Sequence, residues 1–408
     1  MVAASPTLRV EFAFTSGLTD LASRMRADVG WKINRGSQSY QSNGFVADAG
    51  TFQCTFNNRD RALDMNNLSG PYVTTGVTNL HPGNYFNVIA NWNAADYALF
   101  AGQADDWPNT SPNKGKDNLV PFKGTDAVGQ LAKSNFPTLR AAEYSGARIA
   151  AVVASSAWPG LTSISHGRSR IGKLAYSLLS AWNHCQMCCQ AEFGDLYVET
   201  DGTLIFRDRN LIVTEVRSNT PQAVYTDETN AYSLGRFKYG DAKKLTLPII
   251  NDLTNTYDDK GNQTNAQDAA SIAADWGLSH KDLSLSFDTA AQSNDYCHWL
   301  VHLYKQPIQT FFSVTFDPND NPAVLFPELM ARKLGDMVTI RRSYVDLAPV
   351  AGGVGSVESR NCWVRGIEHV GRNNVWQSTT MWLQDASWIS GLAKFDVSHF
   401  NGADVLAF

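Results

Sequence analysis

Charge is scarce in this chain of 408 residues: Asp, Glu, Lys and Arg make up 18 % of it, against roughly 25 % in an average soluble domain. The net charge of −5 argues against a general binder of nucleic acid or anionic surfaces, which would be basic. No five like charges run together, which excludes a charged tail. No stretch reaches the ~18 apolar residues of a helical membrane span. The N-terminal "MVAASPTLRVEFAF" lacks a basic region followed by a long apolar core, so no signal peptide is expected. Cysteine is sparse. Cys54, Cys185, Cys188, Cys189, Cys297 and Cys362 are scattered through a long chain, unlike a disulfide scaffold. Synthesis in a reducing cytoplasm is expected.

Catalytic signatures are also missing. No G-x-S-x-G elbow occurs. "AGGVGS" (351–356) precedes neither a helix nor a lysine, so it reads as a loop and cradles no phosphate. "CHWLVHLYK" sets His298 and His302 one helical turn apart, but Trp299 stands where a zinc protease carries its glutamate. A semi-buried histidine pair is expected there. "DPNDNPAVLFPE" spaces Asp317, Asn319, Asn321 and Glu328 like a calcium loop. Pro322 occupies the glycine position, and a strand rather than a helix comes before it. Asp105-Asp106 and Asp258-Asp259 read as solvated loop ends. No catalytic residue, cofactor or metal is therefore expected, and the chain is not read as an enzyme.

Aromatics are abundant, with 11 Trp, 14 Tyr and 20 Phe. Together with the length they predict real cores and two to four domains. The first ~135 residues read as strands: "TLRVEFAF" alternates, and "GTFQCTFNNRDRALD", "NYFNVIANW", "ALFAGQADDW" and "NLVPFKGTDAVGQLAK" follow. Residues ~136–220 change character. A short helix in "SGARIAAVVASSAWPG" stops near Pro159. A longer one spans 172–193, with Leu174, Leu178, Ala181, Trp182, Cys185, Cys188 and Cys189 at three- and four-residue steps and Gly194 as its cap. "DLYVETDGTLIFRDRN" is a hairpin around Asp201-Gly202. Strands return from ~221, interrupted by one helix over about 290–305.

A weak repeat joins the two ends. Gly83-Asn84 opens a strand, Gly102 sits inside the next, and a third leads to Asp126. Gly335-Asp336, Gly366 and Asp385 recur in the same order.

"WNHCQMCCQAEFGD" concentrates His184, Cys185, Cys188 and Cys189 on one helix. Two ligands one turn apart can share a metal, but one helix cannot surround an ion with four. A redox pair would sit at the helix N-terminus; these cysteines come late and continue the apolar stripe. They are read as small buried hydrophobes.

"AGTFQCTFNNRDRALDMNNLSGPY", "LFAGQADDWP", "GTDAVGQLAK", "GDLYVETDGTLIFRDRN" and "LGDMVTI…RGIEHVGRNNVWQSTTMWLQDAS" occur in this order. In that order the chain resembles the minor tail or baseplate-hub proteins of long-tailed phages, over most of residues 5–388. The cysteine cluster departs from the pattern, in which that helix is more acidic. The resemblance implies a mainly β fold with α/β insertions, two β-barrel tube domains flanking a lateral α/β domain. The expected division is 1–135 for the first barrel, 136–220 for the lateral domain, 221–388 for the second barrel with an inserted helix near 290–305, and 389–408 for a C-terminal docking segment.

It further implies a homotrimer whose six barrels form a ring. The expected partners are the distal tail protein, the tape-measure protein, tail fibre or other tip proteins, and viral DNA in transit without sequence specificity. The chain would sit in the virion at the tail tip after synthesis in the host bacterial cytoplasm, with no membrane insertion of its own. Two alternatives stand beside this hub reading. One is a tail-associated cell-wall or polysaccharide hydrolase, against which the ~23 residues after the last strand look too short for a catalytic domain. The other is a carbohydrate-binding module, suggested by the tryptophans.

Overall fold

A computed structural model describes residues 5–15, 17–112, 116–136, 139–156, 158, 160–173, 180–226, 242–274, 276–343 and 357–386. The fold is mainly β. Thirteen strands join into one sheet: β1 (Thr7–Phe14), β2 (Gly17–Asp20), β3 (Trp31–Gly36), β4 (Asp48–Asn57), β5 (Tyr85–Trp92), β6 (Ala95–Asp106), β7 (Leu119–Thr125), β8 (Ala223–Thr226), β9 (Lys243–Thr246), β10 (Gln309–Phe316), β11 (Met337–Ser343), β12 (Val357–Arg372) and β13 (Val375–Asp385). The order across it is β9-β10-β13-β12-β3-β4-β7-β6-β5-β1-β2, with β8 beside β11 and β11 beside β12.

Alternation makes these strands. In β4, Phe52, Cys54 and Phe56 are buried while Thr51, Gln53 and Thr55 are not. Strands β4 and β1 stand four places apart along the sheet, with β7, β6 and β5 between them, yet Phe12, Phe56, Phe86 and Phe122 share one core. Phe12 lies 5.3 Å from both Phe86 and Phe122. The sheet must therefore fold back over itself. A second core collects Tyr225, Phe311, Phe316, Val338, Ile340, Val364, Ile367 and Met381 from β8 and β10–β13.

The two ends of the chain use the same strand order. Six strands of the first run β1-β5-β6-β7-β4-β3, and six of the last run β8-β11-β12-β13-β10-β9. In both, the chain visits positions first, sixth, fifth, second, third and fourth. The likeness extends to single bonds. Gly83 N–H donates to Ala104 O and Ala104 N–H to Asn84 O; Gly335 N–H donates to Val364 O and Val364 N–H to Asp336 O. One residue later each strand bulges, at Asp105 and at Arg365. Asp126 and Asp385 each directly follow or end the third strand. One expected correspondence fails. Gly102 comes two residues before the bonded Ala104, whereas Gly366 comes two residues after Val364, so the two glycines are not equivalent. The outer strands also differ in sense: β1 is antiparallel to β5, but β8 is parallel to β11.

Among the described residues the four longest helices are α1 (Ser145–Ser155), α2 (Ala181–Glu192), α3 (Ala290–Tyr304) and α4 (Pro322–Ala331). Helix α4 was not expected; the Asp, Asn and Pro before it suggested a loop, and its apolar residues show no stripe. It needs none, because it is wedged between the two cores. Leu325 and Leu329 enter one and Phe326 and Met330 the other. Phe326 lies 4.9 Å from Trp92 and 5.9 Å from Trp376. Pro322 opens α4, where a missing N–H costs nothing. Glu328 accepts from Tyr225 Oη (3.0 Å) and pairs with Arg332 (2.9 Å), while Asp317 accepts from Asn319 N–H.

A third core lies beside the sheet. It includes α1, α2 and the antiparallel pair Asp195–Val198 and Leu204–Arg207, and also Leu247, Leu253, Ala266, Leu285, Phe287 and α3. The expected boundary therefore needs correction: residues 247–304 pack with the middle region, not with the second sheet arm. Short strands at 252–256, 263–267 and 280–283 look alike in sequence whichever sheet they join. Trp299 of α3 meets Phe193 edge-on at 4.2 Å. His298 and His302 are exposed rather than semi-buried.

Helix α2 is shorter than expected. Ser180 caps it, accepting from Asn183 N–H at 3.2 Å, and Leu174 and Leu178 lie outside the described residues. The left-handed residue is Phe193 (φ 56°), one before Gly194. Cys185, Cys188 and Cys189 are fully buried and free of disulfides. Burial pushes their thiols up, Cys188 to about 12. His184 is buried beside Phe136 (5.2 Å). Among the described residues no three His, Cys, Asp or Glu side chains converge as metal ligands.

A buried ionic cluster ties the middle region to β12. Asp195 accepts from Arg365 (2.8 Å) and Arg207 (3.4 Å). Arg365 also donates to Gln384 (2.6 Å) and covers the rings of Phe45 and Trp363. Arg217 bonds Asp336 (3.1 Å) and the carbonyl of Leu334 (2.6 Å). Gly335 has φ +83°, and a Cβ there would lie 2.5 Å from Arg207 Nη1, so glycine serves both the turn and the cluster.

Two substitutions separate packing from charge. Cys185→Ala should cost of order 1–2 kcal/mol in denaturant unfolding, a small buried side chain's share, and elemental analysis of the purified chain should find less than one zinc per chain. Stoichiometric zinc would overturn the packing reading. Asp195→Ala takes from Arg365 and Arg207 the buried carboxylate they share and should cost about 3–5 kcal/mol.

Candidate functional site

The face of the sheet turned away from the cores is built by the other half of the alternation. Directly opposed residues line up across seven strands: Thr315 (β10), Thr380 (β13), Glu368 (β12), Asn34 (β3), Thr51 (β4), Thr125 (β7) and Gln103 (β6). A second row holds Ser378, Val370, Lys32, Gln53, Lys123 and Asp106. Both rows cross from one sheet arm to the other without a break.

The seam between the arms is the pairing of β3 with β12, from Gly36 opposite Gly366 to Trp31 opposite Gly371. It is a close joint. A Cβ on Gly366 would lie 2.4 Å from the Ser37 carbonyl, which no larger residue could accept without moving the backbone. Ser37 N–H donates to the carbonyl of Arg365 (2.8 Å) and starts the ladder.

Chemically the rows are mostly hydroxyls and amides, with two lysines, two carboxylates and Val370 among them. Thr315 and Thr380 share a hydrogen bond (2.9 Å). Thr125 Oγ1 donates to Asp105 Oδ2 (2.9 Å). The two lysines face three carboxylates: Lys32 pairs with Glu368 (2.6 Å) and Lys123 lies 3.9 Å from Asp105, with Asp106 alongside. At the rim Arg372 donates to the Asp28 carbonyl (2.8 Å). The surface offers polar contacts without excess positive charge, and a polyanion is held mainly by such charge.

Of the residues singled out in the sequence only Asp106 belongs to these rows; it and Asp105 end strand β6 and are not solvated loop ends. Gly83 and Gly335 make the turns before β5 and β11. Asp126 lies just beneath the first row and accepts from Gly50 N–H (2.8 Å) and Val128 N–H (3.1 Å); burial nevertheless raises it to about 7. Gly102 lies inside β6, its missing Cβ leaving room for Phe100. Asp385 is buried opposite Cys362. The three cysteines lie in the third core. The alternating Thr and Gln of "TFQCTF" was the available signal for the face.

On the core side of the seam His369 sits opposite Ile33, shares a hydrogen bond with Thr379 Oγ1 (3.0 Å) and meets Trp376 at 4.8 Å. Burial, and secondarily Arg35, pushes it down to about 3. An unfolded histidine near 6.5 takes up a proton that the folded one refuses. Stability contributed by neutral His369 is therefore present above pH ~6.5 and is lost as pH falls toward its folded value. His369→Gln, followed by thermal unfolding between pH 7 and 4, should show a shallower loss than the wild type; an equal slope would contradict the assignment.

No model of a known protein family matches the sequence, and no curated protein does. Solved structures match along nearly the whole chain. A tail protein from Neisseria meningitidis has a TM-score of 0.56 at 12 % identity, covering 93 % of this chain and 97 % of that one. A 43 kDa prophage tail protein from Shewanella oneidensis has a TM-score of 0.51 at 10 % identity, covering 92 % and 98 %. A prophage tail protein from Listeria monocytogenes has 0.51 at 7 % identity, covering 94 % and 96 %. Over almost its entire length, then, the chain has the fold of phage and prophage tail proteins.

Proposed function

We propose that the chain is a structural hub of the tail tip of a long-tailed phage. It continues or closes the tail tube and organises the distal tail for host attachment and DNA passage. The observation that carries this reading is the aligned double row across the seam, mostly Thr, Ser, Asn and Gln, whose lysines are offset by carboxylates. Such a face suits a lumen wall: it hydrates a passing polyanion and does not retain it. Two sets of six strands per chain suit a homotrimer presenting six sets to a six-fold tube. The distal tail protein, the tape-measure protein and fibre or other tip proteins are the partners of such a hub, and the chain catalyses no step in this reading.

Antibody labelling of purified virions should place the chain at the distal end of the tail; particles that lack it would overturn the reading. The lumen assignment has its own test. Purified assembled protein should retain duplex DNA weakly at 50 mM salt. Thr51→Lys combined with Thr125→Lys should raise retention and make it fall steeply by 200 mM salt, as added phosphate contacts require. Tight binding by the wild type would defeat the lumen assignment.

A further inference from the structure

The two six-strand sets meet through one joint, and each set keeps a copy of the half it does not use. In the joint, β3 of the first set lies along β12 of the second, beyond the bulge at Arg365. The equivalent of β3 in the second set is β9, which ends the path across the sheet and pairs, among the described strands, with β10 alone. The equivalent of β12 in the first set is β6, whose edge beyond Asp105 faces no described strand.

The register can be carried across. Asp106 leads through Lys123 and Gln53 to Lys32, and Gly366 leads through Trp382 and Ser313 to Lys243. Lys243 is therefore the counterpart of Lys32. Counting from the two bulges, Thr110 is the counterpart of Val370, the residue opposite Lys32.

The backbone is aimed correctly at both edges. Thr110 exchanges two bonds with Leu119 (both 2.8 Å), so Trp107 and Asn109 turn their main-chain groups to the opposite side. Trp107 N–H meanwhile takes the carboxylate of its neighbour Asp106 (2.7 Å). Pro108, with no N–H, falls on the side of β7. On β9, Leu247 N–H donates to Ile308 O (2.8 Å), so Thr246 points away from β10. The same register sets Leu245, 36 % exposed, against Pro108.

We propose that β9 of one copy pairs antiparallel with the end of β6 of a second copy, in the register that β3 keeps on β12. Each chain then offers one edge of each kind. A head-to-tail contact of this sort closes into a ring when its rotation allows and pairs two edges that face no described strand. The inference rests on the hub reading above only for the number of chains in the ring.

Paired cysteines test it, because the six native cysteines are buried. The full chain carrying Thr110→Cys and Lys243→Cys should, on mild oxidation, yield a covalent ladder ending at one closed species. Neither single variant should cross-link, and a mixture of the two should give only dimers. Thr246→Pro provides a second readout: proline is tolerated on an edge facing solvent, so this chain should keep its circular dichroism and unfolding midpoint but need at least tenfold higher concentration to assemble in mass photometry. An assembled protein without the cross-link, a monomeric wild type, or a folded Thr246→Pro chain that assembles normally would each overturn the proposal. Cross-linked rings of a chain absent from virions would defeat the hub reading instead. A chain labelled at the tail tip that never cross-links would defeat the pairing alone.

Discussion

One residue, Arg365, holds three parts of the chain together. It is the extra residue of a bulge, and a bulge lets a strand re-aim a side chain. Its carbonyl receives Ser37 N–H and begins the seam between the two sheet arms. Its guanidinium reaches Asp195 and so docks the middle region. Without the bulge the side chain would follow the strand's alternation, and β3 would lose its register. The matching bulge in the first arm puts Asp105 in the same place but leaves it exposed. One local device thus serves an internal joint in one arm and, in the other, an edge that faces no described strand.

The charges around Asp195 are buried in arginine-rich company, with Arg207, Arg217 and Arg365 set against Asp195, Glu199 and Asp336. Buried pairs of this kind add little net stability, because desolvation offsets most of the attraction. Their value is in geometry. An apolar patch would let the Asp195–Arg207 hairpin slide on β12, whereas a carboxylate shared by two guanidinium groups has one good position. The cysteine helix on the other side of that hairpin works by shape. Its three thiols are fully buried in the apolar third core, where a thiolate would be costly, and they fill space beside α1 and α3.

The polar face gains its character from what the cores leave over. Aromatic side chains fill the inner positions of β4, β5 and β7, and the outer positions are free to be Thr, Gln and Asn. Because the seam keeps the pleat in phase, the outer rows stay aligned from β10 to β6. A slip of one residue at the seam would send His369 outward and Glu368 into the core.

Much of the architecture was legible from periodicity. Strict alternation marked β1, the Asp201-Gly202 turn marked the hairpin, and the apolar steps marked α2, although its start at Ala181, capped by Ser180, was placed too early. The repeated Gly-strand-Asp order pointed to two like halves, since turn chemistry and strand length are local. Three things were not local. Helix α4 carries no stripe because two cores cover it from different sides. Residues 247–304 carry ordinary strand and helix patterns, and only packing assigns them to the middle region. The seam pairs residues more than 300 positions apart, and nothing in "WKINRG" or "GIEHVG" names the other. The sequence determined which side of the alternating strands, such as β1, would be buried, because alternation is a property of the strand alone. The tertiary structure decided which strands lie side by side, because hydrogen bonds between backbones are blind to sequence until cores, bulges and buried charges select one register.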